Sequence, residues 1–92
     1  MNKPKTEEEF LQELKDNAEK PLMEVADLKI MKNSFALRGL YDTAWTYLPE
    51  KIQETLQLIN KFKGDKDKET LAKKSLLVYL KDFTAVVEAD LD

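Results

Sequence analysis

The side chains able to do chemistry in this chain are carboxylates, lysines, hydroxyls and a few aromatics, because its 92 residues include no histidine and no cysteine. That removes the commonest general base, the commonest transition-metal ligand and every Ser–His or Cys–His nucleophilic arrangement. A di-iron bundle site needs Glu-x-x-His on two helices and is excluded for the same reason. Disulfides and thiolate metal sites are impossible, and a reducing compartment is tolerated. Carboxylates remain. Glu7, Glu8, Glu9, Glu13, Asp16 and Glu19 are spread as an acidic helix face, not gathered as a pair. A catalytic acid needs burial to raise its pKa, and the one acid bordering an apolar stripe is Asp90, near the C-terminal end. No phosphate loop, G-x-G-x-x-G, EF-hand pattern or C-x-x-C occurs. The expectation is a protein without catalysis, cofactor or metal.

Binding chemistry is better supplied. Arg38, Tyr41, Trp45 and Tyr47 stand close together, and aromatics with arginine dominate interface hot spots. Tyr41 and Trp45 are four residues apart and touch on a helix. These four are the candidate protein-binding surface, with Tyr41 also suited to the core. Leu28, Met31 and Phe35 form a second apolar set at spacings of three and four. They are either an inner patch covered by another helix or a self-association interface.

Nucleic acid is an unlikely partner. The net charge is −3, from 15 basic and 18 acidic residues, and Arg38 is the only arginine. Lys61, Lys63, Lys66, Lys68, Lys73 and Lys74 cluster around Gly64, but Asp65, Asp67 and Glu69 lie among them. A duplex-binding domain concentrates bases on one face. An alternating run of this kind is expected as a solvated turn.

Helices must position all of these residues. Hydrophobic residues are 42%, charged residues 36%, and there are two glycines and three prolines, which suits long helices with few turns. The prediction is an all-α fold: one domain over residues 1–92, a compact antiparallel bundle of four helices, with 1–5 frayed. Thr6-Glu7-Glu8-Glu9 is a capping box that opens helix one, about 6–19, and Pro21 ends it. The next stretch, 22–48, carries Met23, Ala26, Ile30, Leu37, Leu40, Tyr41, Ala44 and Leu48 on one stripe. It reads as one helix of about 40 Å, opened by Pro21 and closed before Pro49, with a kink at Asn33–Ser34 as the alternative. Leu28, Met31 and Phe35 lie on its opposite face, where helix one, through Phe10 and Leu14, is expected to cover them. Helix three, about 49–63, turns Ile52, Leu56, Ile59 and Phe62 inward and stops at Gly64. Helix four, about 68–89 with Asp67 as cap, buries Ala72, Leu76, Tyr79, Leu80, Phe83, Val86 and Val87.

No apolar run approaches the length of a membrane span, and the N-terminal residues do not resemble a signal peptide. A cytoplasmic setting is expected. The functional expectation is a small protein-binding module of inhibitor, immunity, adaptor or small-subunit type. The alternative is a self-assembling homo-oligomer, and a nucleic-acid accessory role comes third.

Overall fold

The computed structural model describes residues 4–91. Among them are four helices and no strand: α1 (Glu7–Glu19), α2 (Val25–Asn33), α3 (Arg38–Lys61) and α4 (Lys66–Leu91). The all-α bundle expected from the periodicity is present. The expected fraying of residues 1–5 falls partly on 1–3, which lie outside the described residues. Lys5 is held in place, because its Nζ donates to Glu13 Oε2 at 2.6 Å.

α1 begins as its sequence dictates. The Glu9 amide donates to Thr6 Oγ1 at 3.2 Å, and the Thr6 hydroxyl donates to the Glu9 carboxylate at 3.3 Å. Lys20 is extended ahead of Pro21, the conformation proline imposes on its predecessor. Pro21 does not open a helix. An extended link follows, and α2 starts at Val25.

The stretch 22–48 is not one helix. It breaks at Asn33–Ser34, and a short turn over 35–37 precedes α3. The Asn33 amide donates to Lys29 O at 3.0 Å, and Ser34 Oγ accepts the Leu37 amide at 3.3 Å. These are the local side-chain bonds by which Asn and Ser compete with helix propagation. The cause is one of phase. Stepping about 100° per residue puts Leu28 and Tyr41 roughly 140° apart on a continuous helix, yet both are buried. Only a break lets the chain bury both.

Pro49 closes nothing. It sits inside α3, although an interior proline loses one hydrogen bond and crowds the preceding turn, at about 3 kcal/mol. The buried positions Tyr41, Ala44, Leu48, Thr55, Leu58 and Phe62 run through it without a change of phase, and packing against α4 holds both halves in line. Gly64 has φ +97° and closes the α3–α4 turn. Asp65, not Asp67, caps α4, accepting the Lys68 amide at 3.3 Å.

α4 is the shared partner, since α1, α2 and α3 all pack against it. Its buried ridge is Ala72, Ser75, Tyr79, Asp82, Val86 and Ala89, in alternating steps of three and four. Two apolar clusters result. Leu14 of α1 joins Leu58, Phe62 and Ala72 at one end, while Leu28 of α2 joins Tyr41, Ala44, Leu48 and Ala85 at the other. The molecule is a slab of 44 × 31 × 18 Å. One layer is the antiparallel α3–α4 pair, and α1 and α2 lie across one side of it.

Candidate functional site

The sequence groups Arg38, Tyr41, Trp45 and Tyr47 on one surface, and the helix divides them. Tyr41 points inward, and its hydroxyl donates to Val86 O and to Asp90 Oδ1, at 3.3 and 3.1 Å. Burial raises its pKa, and the Asp90 carboxylate acts in the same direction. Trp45 and Tyr47 flank the buried line of α3 on opposite sides, about 160° apart. Trp45 meets the Phe83 ring edge to face, centroids 5.6 Å apart. Tyr47 lies under the Lys51 ammonium, 5.7 Å from its ring centre. Arg38 is exposed and donates to Asp42 Oδ1 at 3.2 Å. Trp45 and Arg38 therefore share a flank that excludes Tyr47.

The second set comes apart as well. Leu28 is in the core and Met31 packs beside it, so these two are inner residues. Their cover is α3 and α4 rather than α1, whose Phe10 and Leu14 belong to the other cluster. Phe35 lies in the turn and is fully exposed. The three form no common interface. Conversely Ile30, Leu37 and Leu40, expected on the buried stripe, are exposed, because the break at Ser34 gives α2 and α3 independent rotations.

On the Tyr47 flank, a groove of about 380 Å³ is lined by Glu13, Asn17, Lys20, Tyr47, Tyr79 and Asp82, among others. Asp82 is its floor and is 0% exposed. The Lys20 ammonium donates to its Oδ2, and the Met23 amide donates to Oδ1 at 2.9 Å. Beside it the Asn17 amide donates to Ser75 O and Oγ, at 2.9 and 2.8 Å. Sequence reading placed no acid but Asp90 at an apolar stripe, and Asp82 corrects that. An apolar-only face skips Asp82 and Ser75, whereas the three-four spacing of the α4 ridge includes them.

The charges of the groove satisfy one another. Burial disfavours the Glu13 carboxylate, but the Lys5 and Lys51 ammoniums outweigh it and leave the pKa lowered. Burial likewise opposes the Lys51 charge, and the Glu54 and Glu13 carboxylates outweigh that and raise it. Burial, with Tyr47 adding to it, pushes Tyr79 up to about 12. Catalytic acids, amines and tyrosines need shifts toward neutrality. Here each resolved shift runs the other way.

Two of the lysines near Gly64 are also engaged. Lys68 reaches Glu7 at 2.9 Å and Asp65 at 3.7 Å, and Lys73 reaches Glu69 at 2.8 Å. Among the described residues no three Asp or Glu side chains gather as a group able to hold a metal ion. No helix among them is long and apolar enough to cross a membrane.

A further exposed feature is the side of the α3–α4 pair turned away from α1 and α2. Trp45, Pro49, Ile52, Gln53 and Leu56 follow one another along α3, and Leu76, Leu80, Phe83, Thr84 and Val87 along α4. None is charged. Glu50, Lys51, Glu54, Lys81 and Asp82 occur in the same spans but step to other sides of their helices. Leu56 and Leu80, expected inside, are 48% and 43% exposed, and Trp45 is 37% exposed. α1 reaches the pair from the other side, through the bonds to Ser75 and Asp82 and the Lys51–Glu13 pair at 3.3 Å. Sequence reading missed this face because its residues are of core type. Only the count of helices available to cover them decides which remain outside. Comparison with family models, curated proteins and solved structures finds no match to this chain.

Proposed function

We propose that this chain is a small, non-catalytic protein-binding module that occupies a partner's surface through the open face of α3 and α4. The type is that of an inhibitor, immunity protein, adaptor or small subunit, working in the cytoplasm. One observation carries the reading: a chain with 36% charged residues keeps charge off one side of the middle of both helices, from Trp45 to Leu56 on α3 and from Leu76 to Val87 on α4. Depletion of charge, with aromatics present, distinguishes the centre of a protein interface from ordinary surface, and contiguous exposed apolar patches mark association sites. Trp45 and Arg38, candidates from the sequence, lie on this flank, and Tyr41 supports it from within. The direction of the resolved pKa shifts favours binding over catalysis.

The test is site-specific photo-crosslinking in the native host, with the reactive side chain placed at Leu56 or at Leu80. A discrete adduct heavier than the 10.7 kDa chain is expected from both positions and not from Glu50, on another side of α3. No adduct from either leucine, or the same adduct from Glu50, would overturn the assignment.

A further inference from the structure

We propose that the turn between α2 and α3 is a membrane-contact tip, which inserts Phe35 into an anionic lipid surface. The inference goes beyond the protein-docking reading and uses a different part of the molecule.

Exposure is the first argument. Residues 35–40 are exposed without interruption, and half of them are Phe35, Leu37 and Leu40. Leu40 is 62% exposed, and Ile30, one turn back on α2, is 65% exposed. Turns are ordinarily polar, and contiguous apolar exposure marks a contact site. Shape selects the medium. These side chains project from a turn at the end of the bundle where α3 begins, instead of lining a groove or a flat face. A protein partner would have to be moulded into a cavity to enclose such a protrusion, whereas acyl chains conform to it. Interfacial elements enter the boundary between headgroups and acyl chains by about 5–10 Å, the depth of one or two helical turns.

Charge is the second argument. From Leu28 to Tyr41 the chain has no Asp or Glu, its longest run without one, although acids are 18 of its 92 residues. Lys29, Lys32 and Arg38 fall inside that run. A hollow of about 510 Å³ beside Phe35 is lined by Lys32, Asn33, Ser34, Phe35 and Arg38, two cations and no carboxylate. Lys32 also donates to Ala89 O at 3.1 Å, which fixes its ammonium near the hollow. Asp42 and Asp90 neighbour these cations, 3.2 Å from Arg38 and 4.0 Å from Lys32. Three cations against two carboxylates leave the tip one positive charge in excess, in a molecule of net charge −3. Apolar side chains at a tip, with Lys and Arg stems behind them, suit a bilayer interface where the cations meet headgroup phosphates.

Co-sedimentation of the full chain with vesicles tests this. Vesicles of equimolar phosphatidylglycerol and phosphatidylcholine should carry the protein down, and vesicles of phosphatidylcholine alone several-fold less. Phe35→Ala should weaken binding at least ~10-fold, the loss of one inserted aromatic. Arg38→Gln should weaken it about fivefold, the contribution of one cation at an anionic surface. Leu77→Ala, at an exposed leucine in the middle of α4, should leave it unchanged. Inorganic phosphate, compared with chloride at equal ionic strength, should displace nothing. The unsubstituted chain is read first and Phe35 is fully exposed, so misfolding cannot stand in for lost binding. Absence of sedimentation overturns the proposal, as does sedimentation indifferent to Phe35→Ala or to vesicle charge. Displacement by phosphate would make the hollow a site for a free anion and overturn it too. A protein adduct from a photo-reactive side chain at position 35, without sedimentation, would assign the tip to a protein instead of a membrane.

Discussion

Asp82 shows how a single residue ties sequence to architecture. Its carboxylate takes the Lys20 ammonium and the Met23 amide, so it fixes the link between α1 and α2 onto the middle of α4. Removing Lys20 strands a fully buried carboxylate, and removing Asp82 takes the acceptor from the Met23 amide, whereas the Lys20 ammonium is partly solvated. Asp82→Ala and Lys20→Ala should therefore each destabilise the fold by about 2–4 kcal/mol, read from urea denaturation. A loss under about 0.5 kcal/mol, the range of ordinary surface changes, would mean that the link holds itself in place. Tyr79 gives a pH signature. Its folded-state pKa is raised from 10.0 to about 12, so the native state keeps its proton where the unfolded chain gives it up. The stabilisation from a neutral Tyr79 is complete below pH 10 and is lost as the pH climbs through about 12. The amount at stake is about 2–3 kcal/mol. Tyr79→Phe should flatten the alkaline decline in denaturation midpoint across that window, and an unchanged slope would refute the shift.

The helices were legible from periodicity, capping and turn residues, but several boundaries moved, and the two largest changes have a physical reason. A second apolar face opposite the first, at Leu28 and Met31, was visible in 22–48. Its meaning was a phase slip: a single helix cannot bury Leu28 and Tyr41 toward one core. Pro49 misled in the other direction. Proline is a strong local signal for a helix end, yet the buried period from Tyr41 to Phe62 passes through it unbroken, and tertiary packing outweighs the local cost. Pro49→Ala should restore an amide donor toward Trp45 O and raise stability by about 1–3 kcal/mol. Destabilisation instead would show that the half-buried proline ring contributes more by packing than it costs.

Across the whole molecule, stability is divided between two clusters strung along α4, with α1 serving one and α2 the other. Leu14 and Leu28 share no buried partner. Leu14→Val and Leu28→Val should each cost about 1 kcal/mol, and the double variant should show their sum within about 0.5 kcal/mol. Coupling larger than that would mean that α1 and α2 dock as one cooperative unit through the Asp82 link. With both short helices laid on one side of the α3–α4 pair, none is left for the other. That shortage, rather than any special residue, produces the open face.

Much of this protein follows from residue types read along the chain. Missing histidine and cysteine narrow the available chemistry, the 3.6-residue period imposes helices, and Thr6-Glu9 and Gly64 mark ends through bonds and angles a few residues across. Those are local effects, and local effects are written in local sequence. The break at Ser34, the passage of α3 through Pro49 and the burial of Asp82 depend on which surfaces meet at long range. So does the exposure of Leu56 and Leu80, which are indistinguishable by type from the leucines of the core. Packing against α4 settles them, because burial belongs to pairs of helices and not to a residue or its neighbours in the chain.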